Sequence, residues 1–134
     1  MPISIETDKK RDLTIFRLSG DLTLNELKGT IDVYRHRGVT KLELYDLSDW
    51  SGRPFAAGEV DEISFFVSKD AGRFRPEGKT AIVAAQDIHY GNARIFLALT
   101  ELNLPFEISV FRSFQEAYAW LGLPWPPASD PSMA

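Results

Sequence analysis

The chain of 134 residues contains no cysteine, which excludes disulfides, thiolate metal sites and a cysteine nucleophile. It has only two histidines and a formal net charge of -4, so it offers no basic field to attract nucleic acid. The sequence also lacks the roughly 20-residue apolar run of a membrane-spanning helix and the apolar core of a signal peptide. We therefore expect a cytoplasmic protein with no transmembrane segment, nucleic-acid partner, metal or cofactor.

The composition is that of a globular domain, with 44% hydrophobic and 25% charged residues. The length fits one domain of ordinary size. We expect this domain to cover residues 1–122. The remaining segment, 123–134, is rich in proline and is predicted to be disordered, with Trp125 attaching its start to the domain surface.

The hydrophobic pattern alternates between strand and helix periods along the chain. A continuous apolar run at 80–85 is typical of a parallel strand covered on both faces. Two capping boxes, Thr23 with Glu26 and Ser113 with Glu116, predict the starts of the first and last helices. The resulting order, ββαβαβαβα, predicts an α/β fold in which helices flank a single-layer mixed, mostly parallel sheet. Strands are predicted at 3–5, 13–18, 41–47, 80–85 and 106–111.

Several segments resemble the SpoIIAA-like group of the STAS/SEC14 domain superfamily. The matching pieces are FRLSGDLT at 16–23, AIVA at 81–84, YGNAR at 90–94 and VFR at 110–112, followed by EA at 116–117 and WL at 120–121. The resemblance implies the same fold over about residues 3–122. It also implies a regulatory or protein-interaction role without enzymatic activity, or the binding of a small apolar, lipid-like ligand as in SEC14 relatives.

One segment partly matches the phosphorylation switch of STAS domains, an Asp-Ser-Ser-Gly pattern. Here the segment reads Asp49-Trp50-Ser51-Gly52, with tryptophan in place of the first serine. By this resemblance Ser51 is a candidate phosphorylation site near the start of a helix, where backbone N–H groups favour negative charge. The alternative is a Ser-Gly turn that leads into the helix.

Polar residues gather where the predicted parallel strands end. His89, Tyr90 and Arg94 follow the strand at 80–85, and Asp46 and Asp49 lie at the end of the strand before it. Ligands bind at this edge in open α/β sheets, so these five residues are candidates for binding a ligand or partner. His89 with either aspartate predicts acid–base chemistry, for example in a hydrolase. The simpler alternatives are helix capping by Asp87 and Asn92 and an ion pair between Arg94 and a carboxylate.

Aromatic side chains are concentrated on the second and third predicted helices and their flanking loops. Phe55 and Phe66 are the candidates that we expect to line an apolar pocket, and Tyr90 lies near them in the sequence. The segment at 63–67 is apolar on more than one helix face, which also fits core packing or a homodimer surface. Three functions therefore stay open: a regulatory interaction module, a carrier or sensor of an apolar ligand, and an acid–base enzyme.

Overall fold

The computed structural model describes residues 2–126. They form one five-stranded sheet with the strand order β1-β2-β3-β4-β5. The first two strands are antiparallel, and every later strand is parallel to its neighbour. The predicted α/β fold with a mixed, mostly parallel sheet is confirmed. The strands are β1 (Ile3–Asp8), β2 (Leu13–Gly20), β3 (Leu42–Trp50), β4 (Lys79–Val83) and β5 (Glu107–Phe111).

The helices cover the two faces of the sheet unequally. Each connection between parallel strands leads to the next strand in the same direction across the sheet. Because such crossovers share one handedness, their helices lie on the same face. Accordingly α1, α2 and α4 share one hydrophobic core with the sheet, on the face that we call the crossover face. The last helix, α5, packs on the opposite face. The helices are α1 (Leu24–Arg37), α2 (Ala57–Ser68), α3 (Ala71–Phe74), α4 (Asp87–Thr100) and α5 (Phe114–Leu121), with a 3-10 turn at Glu101–Asn103.

Both predicted capping residues begin their helices. The backbone N–H of Glu26 donates to the Thr23 hydroxyl at 3.2 Å, and the Thr23 N–H donates to the Glu26 carboxylate at 2.9 Å. At α5 the Ser113 hydroxyl accepts from the Glu116 N–H at 3.2 Å. These bonds satisfy donors that a helix start leaves free, which explains why the sequence located both starts correctly.

One local prediction, the end of the third strand, was wrong. The third strand does not end at residue 47 but continues to Trp50, whose side chain is 3% exposed and belongs to the core. The apolar pattern of α4 and the turn after it predicts that some of Ile95, Phe96, Leu99 and Leu102 are buried. Phe96 packs against the core, whereas Ile95, Leu99 and Leu102 are 53%, 42% and 92% exposed. Smaller and polar side chains of α4, including Ala93, are buried instead.

The start of the predicted tail is attached to the domain. The Trp125 ring stacks on Phe114 at a centroid distance of 6.0 Å and meets Tyr118 edge-on at 5.1 Å. Trp125 therefore attaches the start of the tail to the domain surface, as the sequence analysis expected. The rest of the tail, 127–134, lies outside the described residues. No helix within residues 2–126 is long and apolar enough to cross a bilayer.

Candidate functional site

An apolar cavity lies between the crossover face of the sheet and the three helices that cover it. Its volume is about 110 Å³, and it is partly open to solvent. Tyr45 and Leu47, which alternate along β3, form part of its floor. The helices contribute Leu27 from α1, Val60 from α2 and Phe96 from α4. A wall of this composition favours apolar occupants, because contact with them removes hydrocarbon surface from water.

His89 forms part of the wall near the carboxyl end of the parallel strands. It lies in the first turn of α4, is 2% exposed, and stacks on Trp50 with ring centroids 4.3 Å apart. Its Nε2 is 3.1 Å from the carbonyl oxygen of Gly52, so this nitrogen carries a proton and donates it. Within residues 2–126 its Nδ1 has no hydrogen-bond partner. His89 therefore fastens the loop after β3 to α4.

The predicted pairing of His89 with a carboxylate is wrong. Side chains alternate along a strand, and Asp46 points to the sheet face opposite the cavity. Its Oδ1 accepts from the backbone N–H of Ser48 at 2.9 Å. Asp49 is exposed, while the His89 ring bonds to the backbone carbonyl of Gly52 instead. The structure thus does not assemble the acid–base constellation that the sequence suggested.

Asn92 closes the cavity from the same side as His89. Its side-chain amide donates to the carbonyl of Phe55 at 2.9 Å and accepts from the Phe55 N–H at 3.1 Å. The Phe55 ring lies 5.1 Å from Trp50 and lines the cavity, as the sequence predicted. Sequence reasoning regarded Asn92 as a helix cap, whereas it lies inside α4 and binds the loop before α2. The sequence signal that could have revealed this role is the position of Asn92 one helical turn after His89, on the inner side of the helix.

The candidate phosphorylation site Ser51 is not placed at the start of a helix. It is exposed, and its backbone N–H donates to the Gly20 carbonyl at 3.1 Å. The following helix begins only at Ala57, six residues later. At that helix start Glu59 already accepts from the Ala56 N–H and from Arg53. These two contacts, the backbone bond first, lower the pKa of the Glu59 carboxyl. Ser51 therefore fits the alternative reading, a Ser-Gly turn.

The other three candidate residues lie away from the cavity wall. Phe66 is half-buried between α1 and α2, where the Lys28 ammonium stands 5.3 Å from its ring centroid. The guanidinium of Arg112 covers the Tyr90 ring at 4.1 Å, and Arg94 lies at 6.0 Å from the same ring. The predicted ion pair of Arg94 is not formed with any carboxylate in the described part of the chain.

A buried ion pair borders the cavity at its other end. Arg75 and Glu43 are 4% and 5% exposed, and their side chains approach to 3.1 Å. The Thr80 hydroxyl donates to the same carboxylate oxygen at 2.8 Å, while the Phe106 ring covers the guanidinium at 4.3 Å. In the sequence, Arg75 stands with Arg73 and Lys79 in a basic segment that is typical of a solvated loop. No local pattern marks it as buried, because its charged partner Glu43 lies in a strand that is distant in the sequence.

The tyrosines near this pair are kept neutral by their surroundings. Burial is the main reason that the pKa of Tyr45 lies well above its ordinary value, and the negative charge of Glu43 adds to the effect. Burial likewise raises the pKa of Tyr34 to about 12, again with a contribution from Glu43. The Tyr45 ring stacks on Phe16 with centroids 4.3 Å apart. The cavity floor thus presents aromatic carbon and no ionised phenol.

Comparisons with known proteins assign no family to the chain. No family model matches it, and no curated protein matches it. Residues 2–126 also contain no group of three or more histidine, aspartate and glutamate side chains that could hold a metal ion. The geometry of the cavity is therefore the basis for proposing a function.

Proposed function

We propose that this protein is a non-enzymatic carrier or sensor that binds one small apolar ligand in the cavity on the crossover face. The observation that carries the proposal is an apolar cavity of about 110 Å³, partly open to solvent, between the sheet and its helices. Protein interiors are usually packed without voids of this size. The resemblance to STAS/SEC14 domains, whose SEC14-type members hold apolar ligands, supports the same role.

The volume limits the size of the ligand. A dry cavity of about 150 Å³ in another protein holds one benzene molecule. The present cavity is somewhat smaller, so it fits a single small ring or a short branched chain. A long-chain lipid would require α2 and α4 to move away from the sheet. The apolar-ligand hypothesis therefore narrows from lipid-like molecules to compact hydrocarbons.

The polar groups at the two ends favour an uncharged ligand. Glu43 is already paired with Arg75, and the Asn92 amide is already bonded to the Phe55 backbone. A charged ligand would lose its hydration in the cavity without gaining an unpaired counter-charge. Moving an ion into a protein interior in this way costs roughly several kcal/mol. We therefore expect neutral molecules to bind and carboxylates of the same shape to be rejected.

The test measures toluene binding by the shift in unfolding temperature and by intrinsic tryptophan fluorescence, to which Trp50 in the cavity wall contributes. Ala93→Leu adds three carbon atoms to the cavity wall, and Ala98→Leu adds the same atoms on the exposed side of α4. Toluene at about 100 times its dissociation constant should stabilise the wild type by about 2.7 kcal/mol. The stabilisation should persist in Ala98→Leu and disappear in Ala93→Leu. Absence of binding to the wild type would overturn the proposal.

A second candidate function is regulatory contact with a protein, in the manner that the STAS resemblance implies. The observation that favours it is a set of exposed apolar side chains on the outward side of α2 and α4, including Phe65 at 69% and Ile88 at 57% exposure. Surfaces of this kind mark interaction sites when they are contiguous.

We propose that both functions belong to a cytoplasmic protein, which also fits the absence of cysteine. Recovery of the tagged protein in the soluble, cytoplasmic cell fraction would test the location.

A further inference from the structure

The outward groove between α2 and α4 combines apolar and charged side chains in an ordered pattern. The Phe65 ring projects from its centre and is 69% exposed, and Leu99 lies beside it at 42%. Asp61 and Lys69 line the same groove and are also exposed. We call these four residues the Phe65 face. A solvated surface does not require an exposed phenylalanine between two charges of opposite sign, so this pattern indicates a contact surface.

The two charges are placed symmetrically about Phe65. Asp61 precedes it by four residues and Lys69 follows it by four, so each charge lies about 6 Å along the helix from the ring position. Within residues 2–126 neither side chain takes part in an ion pair, whereas the neighbouring Glu62 is paired with Lys28 at 3.4 Å. The face therefore carries one carboxylate and one ammonium that are available to another molecule.

We propose that the Phe65 face is a homodimer interface in which two copies of α2 pack antiparallel around a two-fold axis at Phe65. A two-fold axis reverses the order of residues along the facing helix. Asp61 then lies against Lys69 of the partner subunit, and Lys69 lies against Asp61 of the partner subunit. The same ion pair thus forms twice. The Phe65 ring and Leu99 of each protomer pack against those of the other protomer.

The charge pattern argues for a second copy rather than an unrelated protein. An unrelated partner would need a matching pair of charges at the same spacing on its own surface, whereas this chain already carries that pair. Complementary charges also fix the register of an interface and exclude the parallel arrangement, which would place like charges together. The two ion pairs further offset repulsion between protomers that each carry a net charge of -4.

The experiment measures self-association by sedimentation velocity over a range of protein concentrations. Asp61→Lys puts two lysines against two lysines in the dimer, and Lys69→Asp puts aspartates against aspartates. Each variant should raise the dimer dissociation constant by at least about tenfold. Because the two variants are complementary to each other, mixing them should restore dimers. Phe65→Ser should also weaken association, since it removes the central apolar contact.

Matched controls distinguish an effect at the Phe65 face from an effect of the net charge of the protein. Asp32→Lys on α1 and Lys10→Asp in the β1–β2 turn change exposed residues and give the same net charges as the two test variants. Each control should dimerise like the wild type. A monomeric wild type at all concentrations would overturn the proposal. Failure of the complementary mixture to dimerise, or equal weakening by Asp32→Lys and Asp61→Lys, would also overturn it.

Discussion

Replacing Arg75 with methionine would remove a buried charge and keep an unbranched apolar side chain in its place. The Glu43 carboxylate, 5% exposed, would then be buried without the cation that lies 3.1 Å away in the wild type. The variant would also remove three hydrogen bonds that the guanidinium donates to backbone carbonyl oxygens of the neighbouring strands and loop. All of these groups lie where water has little access.

We expect Arg75→Met to lower the free energy of unfolding by about 3–5 kcal/mol, the cost of breaking a buried ion pair from one side. That is a large share of the roughly 5–15 kcal/mol that stabilises an ordinary domain. Arg73→Met is the control, because Arg73 lies two residues before Arg75, in α3, and is exposed. A surface substitution of this kind should change the free energy by no more than about 0.5 kcal/mol.

Urea denaturation of both variants and of Glu43→Gln/Arg75→Met would test the reasoning. The double variant should be more stable than Arg75→Met, because an amide costs less to bury than an unpaired carboxylate. If Arg75→Met lowers the free energy of unfolding as little as Arg73→Met does, the ion pair does not stabilise the fold. If the double variant is the less stable of the two, the unpaired charge of Glu43 is not the cause of the loss.

Three further predictions concern other contacts. Asn92→Ala should lower the free energy of unfolding in urea by about 2 kcal/mol, since it removes both hydrogen bonds to the Phe55 backbone; a change as small as that of the exposed control Asn103→Ala would contradict this. The pKa of Tyr34 is raised from 10.0 to about 12, so the stability gained from its neutral hydroxyl is complete below pH 10 and is lost as the pH rises through the folded-state pKa. The free energy of unfolding should therefore fall more steeply over this range in the wild type than in Tyr34→Phe, and equal slopes would refute the assignment. Trp125→Ala should lower the melting temperature, at a cost of about 1–2 kcal/mol, because its ring is stacked on the domain; an unchanged melting temperature would mean that the tail start contributes nothing.

The sequence predicted the elements whose signals are local. The Thr23 and Ser113 caps act within one helix turn, and both helices begin where these residues indicated. The apolar run at 80–85 likewise overlaps β4 over residues 80–83, because a strand covered on both faces favours a continuous apolar run. In such cases the residues that determine the structure are neighbours in the chain.

The functional site was harder to predict because its contacts join distant segments. Whether Asp46 faced the cavity depended on the register of β3, and a shift of one residue reverses the answer. Arg75 is separated from its partner Glu43 by two helices in the chain, so no local pattern distinguishes it from the exposed Arg73. His89 was placed near the correct edge of the sheet, but its bond to the Gly52 carbonyl depends on how the preceding loop folds back.

The uninterrupted strand order has a consequence for how the chain folds. Every strand is hydrogen-bonded to the strand that precedes it in the sequence, and no later strand has to insert between two earlier ones. Each pairing closes a loop no longer than one crossover, so its entropic cost stays small and the contacts remain local for a parallel sheet. The sheet can therefore grow from β1 towards β5 in the order of synthesis. Each new helix then covers the strand pair that has just formed while the ribosome is still extending the chain.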